Sequence, residues 1–457
     1  MEAKIKEFKK RVHGQVILPE DKEYDEARKI YNAMIDKHPG IILKCRDKQD
    51  VIQAVNFGRE NDLEISIRSG GHNGAGLALC EDGLVIDLSE MKDIQINSDK
   101  RTAVIYPGNT LADVDKATHE FGLALPSGII GTTGIGGITL GGGIGYLSRK
   151  GGLTIDNLIE AEVVLASGEL VTANKNENSD LFWALRGGGG NFGVVVSFTF
   201  KLLEIKNVYA GPMFWPLEKA EEVMRFYDDI MKNADKDLYG FFAFLMVPPG
   251  EPFPEELHMT RVCGIVWNYT GPIEKAEEIF RPIREFGPPI LDFVSEIPMP
   301  ALNGMFDELY PTGLQWYWKA HYLNELNDKS IQVNIKYGSR TPTLHSTTHL
   351  YPIDGAVHEV SAQDTAWTNR KARWAQVIVG VSPDANDAEE ITTWCRNYYE
   401  ALKPYAIGGG YVNFMMEEED GRIEDSYGEN FKRLRQIKKK YDPQNFFHIN
   451  QNIEPCD

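Results

Sequence analysis

The chain has 457 residues, 42% of them hydrophobic and 25% charged, the composition of an ordinary globular protein long enough for two or more domains. A formal charge of −19 and an isoelectric point near 5.1 oppose binding to duplex nucleic acid or an anionic membrane surface, since either would repel the protein at long range. Five cysteines (Cys45, Cys80, Cys263, Cys395, Cys456) never fall in a C-x-x-C spacing. No run of about 20 apolar residues occurs and the charged start lacks the apolar centre of a signal peptide, so a soluble, cytoplasmic protein in a reduced compartment is expected.

From Asp21 to Lys37 the residues Tyr24, Ala27, Ile30, Tyr31, Met34 and Ile35 recur at helical spacing, which predicts one helix stopped by His38-Pro39-Gly40. A strand at Ile41 to Lys44, a helix capped by Asp47 and a half-buried strand at Glu64 to Ile67 then form a β-α-β unit with parallel strands. The second strand runs into Arg68-Ser69-Gly70-Gly71-His72-Asn73. Glycines can turn successive N–H groups onto an anion, with Arg68 adding positive charge and His72 presenting one imidazole. A plain glycine turn beside a surface histidine is the alternative. Short strands follow at Leu84 to Leu88, Ile94 to Ile96 and Thr102 to Tyr106, and Thr110 caps a short helix.

Between Gly128 and Gly152 eleven of twenty-five residues are glycine, yet Ile129, Ile135, Leu140 and Ile144 are too apolar for a flexible linker. Backbone there must approach something closely. After a strand at Glu160 to Leu165 and a helix at Ser179 to Leu185, a second glycine run contains a formal G-x-G-x-x-G from Gly188 to Gly193. A helix precedes it and the strand Val194 to Phe200 follows, the reverse of the order a nicotinamide-dinucleotide site requires.

Past Leu202 to Val208 glycine thins while tryptophan, tyrosine and proline rise. Helices at Leu217 to Met231, Ile273 to Phe286 and Ala388 to Leu402 alternate with strand-like runs at Val333 to Tyr337, Thr348 to Tyr351 and Ala375 to Val381, which fits a sheet with helices on one face. His345 and His349 would lie about 13 Å apart along such a strand, too far to share one ion, and no metal site is expected. Near the end, Lys432, Arg433, Arg435 and Lys438 to Lys440 read as the solvated face of a helix whose apolar seam is Phe431, Leu434 and Ile437.

Taken in order, RSGGHN, TTGIGGITLGGGIGYLSRKGGL, DLFWALRGGGGNFGVVVSF, YVNF and YDPQNFFHINQNI resemble the berberine-bridge-enzyme-like flavoproteins of the vanillyl-alcohol-oxidase superfamily, and the resemblance spans nearly the whole chain. It implies an α+β, two-domain fold of the PCMH type. Residues 1–205 (core about 36–205) and a C-terminal segment, 406–457, would form a split FAD-binding domain; 206–405 would be a substrate domain with an antiparallel sheet covered by helices. FAD would lie on Arg68, Ser69, Gly70, Gly71, His72 and Asn73, along Thr132, Thr133, Gly134, Gly136 and Gly137, with Val195 near the adenine and Tyr411 and Asn450 near the ring. A single covalent link through His72 is implied, because Ile130 stands where many relatives have a linking cysteine. Gly151 replaces a common tyrosine and is expected to open space near the flavin.

The implied activity is removal of a hydride from a CH–OH or CH–NH substrate, with electrons passed to O2 and H2O2 released, for which a small residue at Thr133 would leave the oxygen path open. A dehydrogenase using another acceptor, and a flavin-binding protein without turnover, are the alternatives. Tyr411 is the expected catalytic base. As a phenol with an ordinary pKa near 10 it needs a helper, and His358, on a strand-like Gly355 to Val360, is the expected one, with a structural or substrate-binding role as its alternative. Trp316, Trp318, Trp374 and Gln376 are expected to line a small-molecule pocket. Substrate identity and oligomeric state are not read from the sequence.

Overall fold

A computed structural model of the protein describes residues 1–416 and 422–456. Its first sheet contains β1 (Gln15–Ile17), β2 (Ile41–Lys44), β3 (Ile65–Arg68) and β4 (Leu84–Asp87) in the order β1-β2-β4-β3. β4 runs parallel to both β2 and β3, and its four residues are all buried, as a strand enclosed on two faces should be. The crossover from β2 to β3 is the helix Lys48–Glu60, started by Asp47, whose carboxylate accepts the N–H groups of Gln49 and Asp50.

The helix expected over 21–37 shrinks to one turn, Tyr24–Ala27. Partners far along the chain take the rest. The Tyr31 N–H donates to the Gly71 carbonyl at 3.1 Å, and the Asn32 amide bridges the carbonyls of Gly74 (2.8 Å) and Trp316 (3.0 Å). These bonds replace the local ladder that helical spacing alone would favour.

A second sheet follows with β5 (Ile94–Asn97), β6 (Thr102–Ile105), β7 (Leu158–Val164), β8 (Leu170–Asn174) and β9 (Val194–Lys201), paired antiparallel in the order β5-β6-β9-β7-β8. The helix Leu111–His119 leans on it, begun by a reciprocal capping box between Thr110 and Asp113. The helix Phe431–Tyr441 docks Leu434, Ile437 and Tyr441 into the same core as Leu181 and Phe198, so C-terminal residues finish an N-terminal unit. Residues 417–421 and 457 of the expected C-terminal segment lie outside the described residues.

Lys438 corrects the expectation of a solvated basic face. It sits one turn beyond Leu434, on the buried side, with its side chain fully enclosed. Its ammonium donates to the Asp442 carboxylate (2.7 Å) and to the carbonyls of Asn191 (2.7 Å) and Phe447 (2.9 Å).

The middle of the chain builds a larger antiparallel sheet from β10 (Asn207–Pro216), β11 (Leu238–Met246), β12 (Arg261–Tyr269), β13 (Gln315–Leu323), β14 (Thr347–Pro352) and β15 (Trp374–Ser382), in the order β10-β12-β11-β14-β15-β13. Helices Ala220–Asn233, Ala276–Glu285 and Asp328–Gly338 bury Val223, Phe280 and Ile331 in the core cluster on one face, and helix Ala388–Leu402 packs on β13 and β15. This is the α+β fold with a helix-covered sheet. Val333 to Tyr337, expected as a strand, lies inside helix Asp328–Gly338, because the Asn327 side chain caps its first turn through the Ser330 N–H. The cap and the burial of Ile331 and Asn334 override the β-preference of Val333, Ile335 and Tyr337.

The sheet's uncovered face turns toward the glycine loops, and Tyr146, Phe241, Tyr351 and Trp318 share one core there. Ion pairs lock the two units together. Arg370 grips Asp156 with two hydrogen bonds of 2.6 and 2.7 Å, both side chains almost fully buried. Arg149 bonds Asp354 at 2.6 Å and also donates to the carbonyls of Leu238 and Ala234, tying the glycine-rich segment to the start of β11.

Candidate active site

Between the uncovered sheet face and the glycine loops lies a cavity of about 330 Å³, within the size range of small-molecule sites. Its floor is main chain. Gly70 and Gly134 touch backbone to backbone: a Cβ on Gly70 would stand 2.3 Å from the Gly134 nitrogen, so neither position admits a side chain. At Gly137 and Gly190, both in the lining, a Cβ would meet nothing within 4 Å. Bare N–H and C=O groups therefore face the cavity, as expected where a ligand comes close to backbone. Ser69, Asn73, Thr133, Gly136 and Val195 also border it.

His72 opens into this cavity beside Gly71. Its ring stacks on Tyr31 with centroids 3.8 Å apart and an interplanar angle of 16°. Tyr31 is held by Trp316 on 4.9 Å stacking and donates its hydroxyl to the Tyr310 carbonyl at 2.9 Å. Burial pushes the His72 imidazole down to about 4, against a smaller upward pull from the Thr132 backbone, so it is neutral at physiological pH. Its Nδ1 lies 3.5 Å from the Thr133 hydroxyl, and Ile130 lines the cavity nearby.

Two expected cofactor residues are placed differently. Arg68 is outside the lining: its guanidinium is 2.6 Å from the Asp87 carboxylate and 2.6 Å from the Ala27 carbonyl, so its charge holds β3 against β4 instead of facing an anion. Thr132 is exposed and takes part only through its backbone, toward His72. Gly151 opens no space at the cavity either, since a Cβ there would meet Leu203 at 2.6 Å and Pro126 at 2.8 Å.

Tyr411 is 3% exposed and lines the cavity. Its hydroxyl oxygen accepts the N–H of Gly143 (2.8 Å), the N–H of Ile144 (3.3 Å) and the Asn413 amide (2.9 Å). Burial raises the phenol above its ordinary value and these three donors act against that rise. His358 plays no part here. Its segment is a 3-10 turn, Gly355–Glu359, in place of the expected strand; the imidazole is exposed, absent from the lining, and Nε2 is 2.9 Å from the Ala372 carbonyl.

The cavity's roof is one face of three neighbouring strands. Trp316 and Trp318 come from β13, Thr347, His349 and Tyr351 from β14, and Val377 and Val379 from β15. Thr347, Val379 and Trp318 form one rank across the sheet. Trp374 and Gln376, expected in the pocket, have the opposite parity. Trp374 packs 5.0 Å from the Tyr227 ring, and Gln376 bonds Asn334, Thr348 and Tyr398 beneath the covering helices. Alternation identified two faces along β15 but not which one met the cavity.

The same rule brings in a pair that sequence reasoning missed. His349 Nδ1 lies 2.6 Å from the Tyr351 hydroxyl, and burial pushes the imidazole down to about 3. Their spacing of two along a strand was the available signal. Outside the cavity, His13, Asp47 and Asp50 have metal-ligand proximity, but Asp50 accepts the N–H groups of His13, Gly14 and Arg46, which explains its burial without an ion.

The FAD binding domain family matches residues 39–174, and the Berberine and berberine like family matches residues 410–454. An FAD-linked oxidoreductase of Dictyostelium discoideum is 33% identical over 456 residues, covering 99% of this chain and 97% of the relative. The (R)-6-hydroxynicotine oxidase of Paenarthrobacter nicotinovorans is 29% identical, with 97% of each chain covered. Among solved structures, 6-hydroxy-D-nicotine oxidase from Arthrobacter nicotinovorans superposes with a TM-score of 0.86 at 25% identity over 97% of this chain and 98% of that one. A xylooligosaccharide oxidase from Myceliophthora thermophila shares the fold at a TM-score of 0.86 and 22% identity, covering 100% of this chain and 99% of its own. The protein belongs to the berberine-bridge-like FAD-linked oxidoreductases.

The cavity suits that cofactor. Main-chain donors near Gly70 and Gly134 match a diphosphate, the bare walls at Gly137 and Gly190 admit a ligand closely, and the Asn450 side-chain oxygen is buried without a partner at the cavity's edge.

Proposed function

We propose that the protein is an oxidase acting on a CH–OH or CH–NH bond of a small substrate, with residues 1–205 and 406–457 holding FAD and 206–405 supplying the substrate's side of the cavity. The observation that carries this is the convergence of His72, Tyr411 and the His349–Tyr351 pair on one cavity. Bound FAD supplies a two-electron acceptor. Ser69 to Asn73, Thr133, Gly134, Gly136, Gly137 and Asn450 would hold it; Tyr411 takes the proton from the substrate's hydroxyl or amine. The His349–Tyr351 pair orients that group. Thr133, with a side chain no larger than valine, leaves room beside His72 for O2.

The roof favours a flat, apolar substrate body. Trp316, Trp318, Val377 and Val379 offer aromatic and aliphatic surface, while the His349–Tyr351 pair and the unpartnered indole N–H groups of Trp316 and Trp318 supply a few hydrogen-bonding points. A polyol carries more hydroxyls than these points can pair, and the rest would lie against aromatic and aliphatic wall. An anaerobic panel of aryl alcohols, arylalkyl amines and sugars, followed by air, tests the proposal. Bleaching by an aromatic substrate and rapid recovery in air are expected. If air reoxidises the flavin no faster than free flavin, the dehydrogenase alternative replaces the oxidase; a yellow protein that no substrate bleaches supports binding without turnover.

Covalent attachment through His72 is the companion proposal, supported by its neutral, stacked imidazole. After acid denaturation the yellow colour should remain with the polypeptide, and His72→Ala should release it. With the imidazole pushed down to about 4, attachment to added FAD should run at a constant rate from high pH down through pH 6 and fail only as the ring protonates. Flavin that washes free of the wild type would refute the linkage.

A further inference from the structure

Three N–H donors meet at the Tyr411 oxygen, from Gly143 at 2.8 Å, Ile144 at 3.3 Å and Asn413 at 2.9 Å. The orientation of the Asn413 amide is fixed separately, because the same nitrogen also donates to the Ile138 carbonyl at 3.2 Å and a carbonyl can only accept. A neutral phenol oxygen has two lone pairs, so three donors exceed what it can accept in regular geometry. Among the described residues no acceptor takes the phenol's own proton.

The backbone pair is built for this convergence. Gly142 and Gly143 have φ of +131° and +84°, and a Cβ on Gly143 would stand 1.9 Å from the Thr154 hydroxyl. Consecutive N–H groups turned to one point by such glycines make a concavity that binds anions. Two other phenols face Tyr411, and neither has this environment. Tyr322 on β13 has a buried hydroxyl without a partner, and Tyr351 on β14 is engaged with His349; burial holds both well above the ordinary phenol value. Two cations lie in this region: Arg370, over the Trp367 ring and paired with Asp156, and Arg422, whose guanidinium lies against Gly410 and over the Tyr399 ring and donates to the Ala320 carbonyl.

We propose that Gly143, Ile144 and Asn413 form an oxyanion nest for the Tyr411 phenolate, with Asn413 the positioning residue that lets Tyr411 act as a proton acceptor. This rests on Tyr411 being the base. In the step, the substrate's O–H or N–H bond breaks, its proton bonds to the Tyr411 oxygen on the lone pair that the longest donor, the Ile144 N–H at 3.3 Å, gives up, and the negative charge moves from the phenolate to the substrate heteroatom. Burial is what makes the nest necessary, because an enclosed phenolate without donors would be strongly disfavoured.

Two measurements on the holoenzyme test the nest. Stopped-flow flavin reduction by a bleaching substrate should rise with pH through one ionisation, and Asn413→Leu should move that ionisation upward by about 1 pH unit or more, the scale of one hydrogen bond to a charged group. The rate at high pH should return to the wild-type value. Asn413→Asp, which keeps the side chain's shape, should move it further upward, since a carboxylate opposes a neighbouring phenolate. The ultraviolet phenolate band in the difference between wild type and Tyr411→Phe should titrate with the rate. Equal slowing of Asn413→Leu at every pH, or a rate that plateaus before any phenolate forms, overturns the nest. A Tyr411→Phe enzyme at wild-type rate instead overturns the base itself.

Discussion

Tyr411→Phe should slow flavin reduction by about 10²-fold or more with FAD still bound, the scale on which removing a general base acts. The substitution deletes one oxygen and leaves the ring, which keeps its edge-on contact with Phe414 at 4.9 Å. Gly143, Ile144 and Asn413 lose their common acceptor, so a stability loss of about 1–3 kcal/mol accompanies the change. The pH profile separates the two effects. A weakened fold lowers the rate alike at all pH values, whereas loss of the base also removes the ionisation on which reduction depends. Reduction at the wild-type rate would place proton removal on another group, with Tyr351, which lines the same cavity, the next candidate.

The second large effect concerns stability. Lys438→Met should cost about 3–5 kcal/mol, because it strands the Asp442 carboxylate in a fully buried site. Asp442 keeps the N–H groups of Phe446 (2.8 Å) and Phe447 (2.9 Å), which favours the lower end. The damage should spread to the cavity, since Lys438 also binds the carbonyls of Asn191 and Phe447. Asn191 in turn holds Gln451 and Ile453. Denaturant unfolding should report the loss, hydrogen exchange should rise over residues 447–453, and Asp442→Asn in the same chain should restore part of it. An unchanged midpoint in Lys438→Met would refute the buried pair as a structural lock.

Local signals were enough where local physics decides. Asp47 and Thr110 are legible as caps because a short acceptor followed by an amphipathic run has one economical arrangement. Helix Ala388–Leu402 appears at the expected residues because its apolar seam is long and regular. The 21–37 segment was misread because Tyr31 and Asn32 answer to Gly71, Gly74 and Trp316, none of which is local. At the site, the glycine loops could be read since only close backbone approach explains their density. His358 could not be ruled out until its strand became a turn, and His349 with Tyr351 became visible only once β14 had a known inner face. Lys438 shows the same limit: charge predicts exposure except where three acceptors await it.

Residues 449–451 line the same cavity as Ile67 and the His72 loop. In a chain made from its N-terminus at about 5–20 residues per second, His72 leaves the ribosome on the order of 20 to 75 s before Asn450. Through that interval the His72 imidazole has its Tyr31 partner but lacks the part of the cavity lining that residues 449–451 supply. The cavity lining is therefore complete only after residues 449–451 have been made.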